Sequence, residues 1–147
     1  AITDGEPESN EGEVDLPLGT DPQNRLLQAV RLIGGRRAIT HYEVRERFDG
    51  YAFLRIRPKT GRTHQIRVHL RSMGCPCLAD SAYSERKEFW PSDLGLEGES
   101  ALIERQALHA FRLSIDHPAT AERVTFEAPL PDDIQKALEA LRCAGVE

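Results

Sequence analysis

The chain is 147 residues long, 39% hydrophobic and 29% charged, with a formal net charge of −5. One domain of this size buries a real hydrophobic core without a disulfide framework. The acidic balance excludes a protein that coats nucleic acid nonspecifically, although it leaves room for a local phosphate-binding surface.

Taken from the first residue, the sequence opens with an acidic, Gly- and Pro-containing stretch. Residues 1–12 are expected to be poorly ordered, ahead of a domain spanning 13–147. The opening AITDGEPESNEGEVD is unlike a signal peptide, and no apolar run approaches the ~18 residues of a membrane span. A cytoplasmic location, with no membrane partner, is therefore expected. Val14 to Leu18 reads as extended, Gly19 to Asn24 as a loop, and Arg25 to Ile33 as a helical turn or a loop ending at Gly34-Gly35.

Ala38 to Phe48 is rich in β-branched and aromatic residues, and Tyr51 to Pro58 alternates, with Ala52, Leu54 and Ile56 on one face. Asp49-Gly50 between them predicts a β-hairpin, because Gly accepts the positive φ of a tight turn. The period then changes. Pro58 to Gly61 is a turn, and Thr63 to Met73 fits a helix closed by Gly74, with Ile66, Leu70 and Met73 as its core stripe. Ser84 to Gln106 is a long polar connection with room for one short helix, and connections of that length are often functional. Two further strands, Leu108 to Asp116 and Val124 to Phe126, flank His117-Pro118. Pro131 to Arg142 predicts a terminal helix with acids in its first turn and Ile134, Leu138 and Leu141 inward. Strands, a packed helix, more strands and a last helix give an α+β fold with a mostly antiparallel sheet.

Charge is unevenly spread. From Ala1 to Gln23 there are seven acids and no Lys or Arg; from Tyr51 to Met73 there are six Lys/Arg, two His and no acid. His64, Arg67 and Arg71 are spaced three and four residues apart, so a helix would place them on one face. Like charges at those spacings repel. A solvated surface is the bland explanation, and a compensating group from outside the helix is the functional one. The three cysteines, Cys75, Cys77 and Cys143, are an odd number and are expected to be reduced. Cys75 and Cys77 with His64 and His69 make a poor zinc set, because no second Cys pair exists and the two His are five residues apart. No metal is expected.

These residues carry a resemblance. TGRTHQIRVHL is similar to the TGR-x-HQ-[IL]-R-x-H signature of RNA pseudouridine synthases of the large-subunit RluA type. GCPCLADSAY (Gly74 to Tyr83) resembles the family's following G-x-P-hydrophobic-x-D-x-x-Y segment, with Ala79 where Gly is usual. RRAITHYEV resembles its preceding strand; RQALHA, His117-Pro118 and APLP resemble its C-terminal end. The likeness runs in order from about Val14 to Leu141.

The resemblance implies the C-terminal part of a pseudouridine synthase catalytic domain. Such an enzyme isomerises uridine to pseudouridine in structured RNA, ribosomal or transfer, without a metal or small-molecule cofactor. The family's nucleophilic Asp lies in an R-L-D-x-x-T-S-G segment that this sequence lacks, so the chain alone is expected to be inactive and the other half of the domain becomes an implied partner. By resemblance, Arg67 pairs with that absent Asp, while Asp80 matches a position taken as structural. Lys59, Arg62, Thr63, His64, Gln65 and Arg71 are the candidate RNA-binding residues, with Arg57 a weaker one. Loop ordering is the alternative for His64 and Gln65, and plain solvation for Arg71 and Arg57. Tyr83 and His109 are expected in structural roles. Two other readings stay open: a non-catalytic RNA-binding module derived from the same fold, and a scaffold whose basic face has no ligand. An exposed apolar edge is a further expectation for a chain lacking half its sheet.

Overall fold

The computed structural model describes residues 1–145. In chain order the elements are β1 (Ile2–Asp4), β2 (Glu11–Asp15), β3 (Leu18–Thr20), β4 (Gln28–Val30), β5 (Ile39–Phe48), β6 (Tyr51–Pro58), α1 (Gln65–Ser72), β7 (Arg112–Asp116), β8 (Arg123–Glu127) and α2 (Asp132–Ala144), with a 3₁₀ turn at Pro91–Leu94. Strands β1, β6, β5 and β2 pair in that order into one antiparallel sheet; β3–β4 and β7–β8 are separate two-stranded pieces. The fold is thus α+β and antiparallel, as its pattern of elements implies.

The hairpin of β5 and β6 is the frame. Phe48 pairs with Tyr51, so Asp49 and Gly50 form the two-residue loop, and Gly50 takes φ 76°. A bulge between Val44 and Glu46 shifts the register once. On the covered face, Leu54 and Ala52 join Leu70, Leu78, Phe89, Ile103 and the α2 stripe of Ile134, Leu138 and Leu141 in one core. The long 84–106 connection is tied to that core by Phe89 and Ile103, both buried and bridged to each other.

Four local readings change. The first residues are not loose: Ile2 and Thr3 are fully buried, with β1 paired to β6 and Thr3 bridged to Cys77. Two β-branched residues at the sheet edge outweigh the acidic composition around them. Residues 25–33 are neither helical nor plain loop, since Gln28–Val30 pairs with Leu18–Thr20. Helix α1 begins at Gln65 instead of Thr63, because His64 has left-handed backbone at φ 54°. Its buried side is also broader than one stripe. Leu70 enters the main core while Val68 joins Leu18, Ala38 and Tyr83 in a second cluster, so the helix is packed on two sides and only partly on the Met73 side.

The β7–β8 hairpin carries the expected apolar exposure. Leu113 faces Phe126 across the ladder and they remain 59% and 55% exposed. No helix among the described residues is long and apolar enough to cross a membrane.

Candidate functional site

The turn before α1 is fixed by a closed set of hydrogen bonds. Thr60 Oγ1 accepts from the Ile39 amide (2.9 Å) and donates to Gln65 Oε1 (2.8 Å), which also accepts from the Arg62 amide (3.0 Å). Gln65 Nε2 donates to Ile39 O (2.9 Å) and to Thr40 Oγ1 (3.0 Å). The Gln65 amide is therefore fully occupied inside the fold, and its side chain is buried. Its job is to order the loop. The RNA-contact alternative for Gln65 is corrected accordingly, since a saturated buried amide has no group left to offer.

The same network continues through His69, which is buried. His69 Nε2 lies 2.9 Å from Leu16 O, and a carbonyl only accepts, so Nε2 carries the proton. Nδ1 is then the acceptor for the Thr40 hydroxyl at 2.8 Å. Burial lowers the His69 pKa, in keeping with this neutral tautomer, with the Leu16 carbonyl opposing.

On the other side of α1, two residues from both Gln65 and His69, stands the charged centre. Arg67 Nε donates to Asp80 Oδ2 and Nη2 donates to Asp80 Oδ1, each at 2.6 Å. This is a two-pronged Arg–carboxylate pair, with Asp80 fully buried and the Arg67 side chain 15% exposed. The carboxylate also accepts from the Ala82 and Tyr83 amides (3.0 and 3.2 Å). Burial alone would raise the Asp80 pKa; the Arg67 hydrogen bonds, the backbone amides and the guanidinium charge outweigh it and hold Asp80 below its ordinary value. Arg67 is in turn raised by the Asp80 hydrogen bond, against desolvation. Arg67 thus also has a carboxylate partner within this chain, 13 residues downstream, delivered by the Gly74–Tyr83 segment as it folds back under the helix. Nη1 makes no hydrogen bond among the described residues.

Tyr83 completes the mount. Its ring lies under the Arg67 guanidinium, 4.8 Å from ring centroid to Cζ, a cation–π geometry. Its hydroxyl accepts from the Gln28 amide (2.9 Å) and meets His64 Nδ1 at 2.6 Å. Burial and then the nearby Arg67 charge lower the His64 pKa. A neutral His64 accepts the Tyr83 hydroxyl proton at Nδ1. The left-handed backbone at His64 turns its ring toward Tyr83, off the helical face it would share with Arg67 and Arg71. Ala79 is left-handed as well (φ 56°), which explains why Gly is favoured at this place in the resembled motif.

Of the sequence candidates, His64, Gln65 and Arg67 are brought together around α1. Arg62 donates from Nε to Arg37 O (3.1 Å) and is exposed, as are Lys59, Thr63, Arg71 and Arg57. Asp80 and Tyr83 are the residues that sequence reasoning left in structural roles. The usable signal was the D-x-x-Y spacing itself, which puts a carboxylate and an aromatic face on one turn. Thr60 and Thr40 lay inside the quoted TGRTHQIRVHL and RRAITHYEV stretches without being singled out, and Gln28 gave no signal. His109 donates to Ala128 O (3.1 Å), a structural contact. A separate groove of about 570 Å³ lies between β6 and the base of the β7–β8 hairpin, lined by Phe53, Ile56, Ile66 and Phe111 among others, and none of the candidate residues reaches it. Cys75 and Cys77 are buried free thiols whose pKa values burial pushes up to about 11 and about 12, so neither is a reactive thiolate.

Residues 1–72 match a family model described as RNA pseudouridylate synthase. The chain is 44% identical over 138 residues to the ribosomal large subunit pseudouridine synthase D of Neisseria meningitidis serogroup A, covering 93% of this chain and 37% of that protein. An uncharacterized RNA pseudouridine synthase of Bacillus subtilis is 39% identical over 145 residues, covering 99% of this chain and 44% of that one. Among solved structures, human RNA pseudouridylate synthase domain containing 4 superposes with TM-score 0.72 and 30% identity, covering 97% of this chain and 60% of its own. The chain thus spans less than half the length of these two curated relatives.

Proposed function

We propose, from its likeness to pseudouridine synthases, that the chain supplies the Arg67 side of an active site that converts uridine to pseudouridine in structured ribosomal RNA, or in transfer RNA. In that reaction the N1–C1′ bond of the nucleotide breaks, the uracil turns over, a C5–C1′ bond forms, the proton on C5 is lost to solvent and N1 takes one up, so the product is an isomer. The base must leave its stack to be reached, so the surrounding backbone has to be gripped. A carboxylate working in that desolvated pocket stays ionised only beside a cation.

One observation carries the proposal: Arg67 is held from behind. Asp80 takes Nε and one hydrogen of Nη2, the Tyr83 ring supports the guanidinium plane, and Nη1 stays uncommitted among the described residues. A guanidinium so fixed presents its remaining N–H groups to an incoming acceptor without the entropy cost of ordering a free Arg. That acceptor would be the nucleophilic Asp carried by the remainder of the domain. The apolar groove between β6 and the β7–β8 hairpin offers that remainder a packing surface. Lys59, Arg62, Thr63, Arg71 and the outer edge of His64 would hold phosphates, which position RNA without reading bases.

The Arg67–Asp80 pair also favours a second reading, because a guanidinium already neutralised within the chain is stable without a nucleophile. That would be an RNA-binding module without catalysis. To separate the two, the natural protein is incubated with ribosomal and transfer RNA and the product mapped by carbodiimide-dependent stops in reverse transcription. New stops support the enzyme; RNA binding without any stop supports the module.

A further inference from the structure

A second acid-free stretch runs from Pro22 to Tyr42, with four Arg, one His and no Asp or Glu. It forms most of the β3–β4 arm and the segment that returns to the central sheet. The arm is joined to the candidate site at three points. The Gln28 amide donates to the Tyr83 hydroxyl (2.9 Å), Arg62 donates to the Arg37 carbonyl (3.1 Å), and β4 packs along α1. Two basic stretches, separated in sequence only by residues 43–50 at the tip of the β5–β6 hairpin, therefore converge on one side of a chain whose net charge is −5.

The cations of this arm are uncompensated. Arg25, Arg31 and Arg36 have no carboxylate partner among the described residues, and Arg37 has only Asp15 at 3.4 Å, with both side chains well exposed. Beside them the arm displays aliphatic tips: Leu26, Leu32 and Ile33 are 86%, 77% and 88% exposed, the most exposed large hydrophobic side chains among the described residues. Solvated Arg residues need no explanation, but three aliphatic side chains held in water among them do. A polyanion with apolar surface between its charges answers both features, since phosphates relieve the repulsion and aliphatic wedges enter gaps between unstacked bases. Leu26 lies two residues from Gln28, hence within about 7 Å along the chain of the Tyr83 contact.

We propose that the β3–β4 arm grips RNA beside the target nucleotide, with Arg25, Arg31 and Arg36 on phosphates and Leu26, Leu32 and Ile33 wedged among unpaired bases. This rests on the RNA reading above and names the part of the strand that the arm takes. The test compares the natural protein with two triple variants, Arg25→Gln/Arg31→Gln/Arg36→Gln and Leu26→Ser/Leu32→Ser/Ile33→Ser, all at exposed positions, with unchanged melting as the check on folding. Affinity is measured across a salt series for an RNA hairpin with a uridine-containing loop and for a fully paired RNA duplex. The Gln variant should weaken both RNAs and reduce the slope of log affinity against log salt by about 2, at ~0.7 for each phosphate no longer neutralised. The Ser variant should keep the slope and the duplex affinity but bind the loop RNA about tenfold more weakly, the cost of removing wedges worth ~1.4 kcal/mol. Wild-type behaviour of both variants on both RNAs would overturn the arm's role while leaving the RNA reading intact. A Ser variant altered only in self-association would assign the tips to a protein contact and overturn it too. Failure of the wild-type protein to bind either RNA overturns the RNA reading along with the arm.

Discussion

Arg67 and Asp80 are the residues on which most depends, and they act as a pair. With Asp80 fully buried and Arg67 nearly so, deleting one partner strands a charge in a poor solvent. Asp80→Ala should cost ~3–5 kcal/mol in urea unfolding, typical of a broken buried pair. A loss below ~1 kcal/mol would show that the pair is effectively solvated. This also changes how Arg67 must be tested, because Arg67→Ala would confuse lost chemistry with a stranded Asp80. Arg67→Lys keeps the charge but not the fork, so it should fold yet lose the chemistry. The buried His69 and the half-buried His64 give a pH expectation with a definite sign. Burial lowers the pKa of His69 and of His64 below the unfolded value of ~6.5, so the unfolded chain binds more protons as pH falls. Stability from these residues is complete above that value and lost as pH falls from it toward the lowered folded pKa. Thermal melts between neutral and mildly acidic pH should show this decline, and His69→Gln should flatten it; an equal decline in the variant would remove His69 as its cause. The resemblance singled out Arg67, but not its partner in this chain, because pairing across 13 residues depends on how the Gly74–Tyr83 segment folds back.

Among the elements, the β5–β6 hairpin was the most legible, since alternation and an Asp-Gly turn are both local signals. Gly50 has φ 76° with open space around a notional Cβ, so Gly50→Ala should cost about 1 kcal/mol through backbone strain alone. A neutral result would mean that the turn rearranges. The helix α2 was equally legible from its Ile134, Leu138 and Leu141 stripe. Helix α1 was legible as a helix but not in its burial, because periodicity assumes one apolar side and α1 is packed between two clusters. Its start was also misplaced: a left-handed His64 is set by its bond to Tyr83, a tertiary contact. The strands β1 and β4, three residues each, are too short to carry a period, and the acidic residues around β1 masked its buried Ile2-Thr3 pair.

At the scale of the molecule, the chain has one well-closed core and one unfinished face. The β7–β8 hairpin leaves Leu113, Ile115 and Phe126 largely in water, and the groove at its base is apolar. The 147-residue chain by itself should therefore self-associate, and Leu113→Lys with Phe126→Lys should return it to a monomer in sedimentation; persistence of the oligomer would place the contact elsewhere. Opposite charge preferences divide the surface, with acids concentrated before residue 24 and two basic stretches meeting around α1. The role proposed for Arg67, mounted on Asp80 and Tyr83, is in pseudouridine formation. Because the reaction expels the C5 proton, tritium release from RNA containing [5-³H]uridine follows it directly. The natural protein should release tritium, and its Arg67→Lys variant should release none while still retaining RNA on a filter. Release by the variant at the wild-type rate would rule out this role for Arg67.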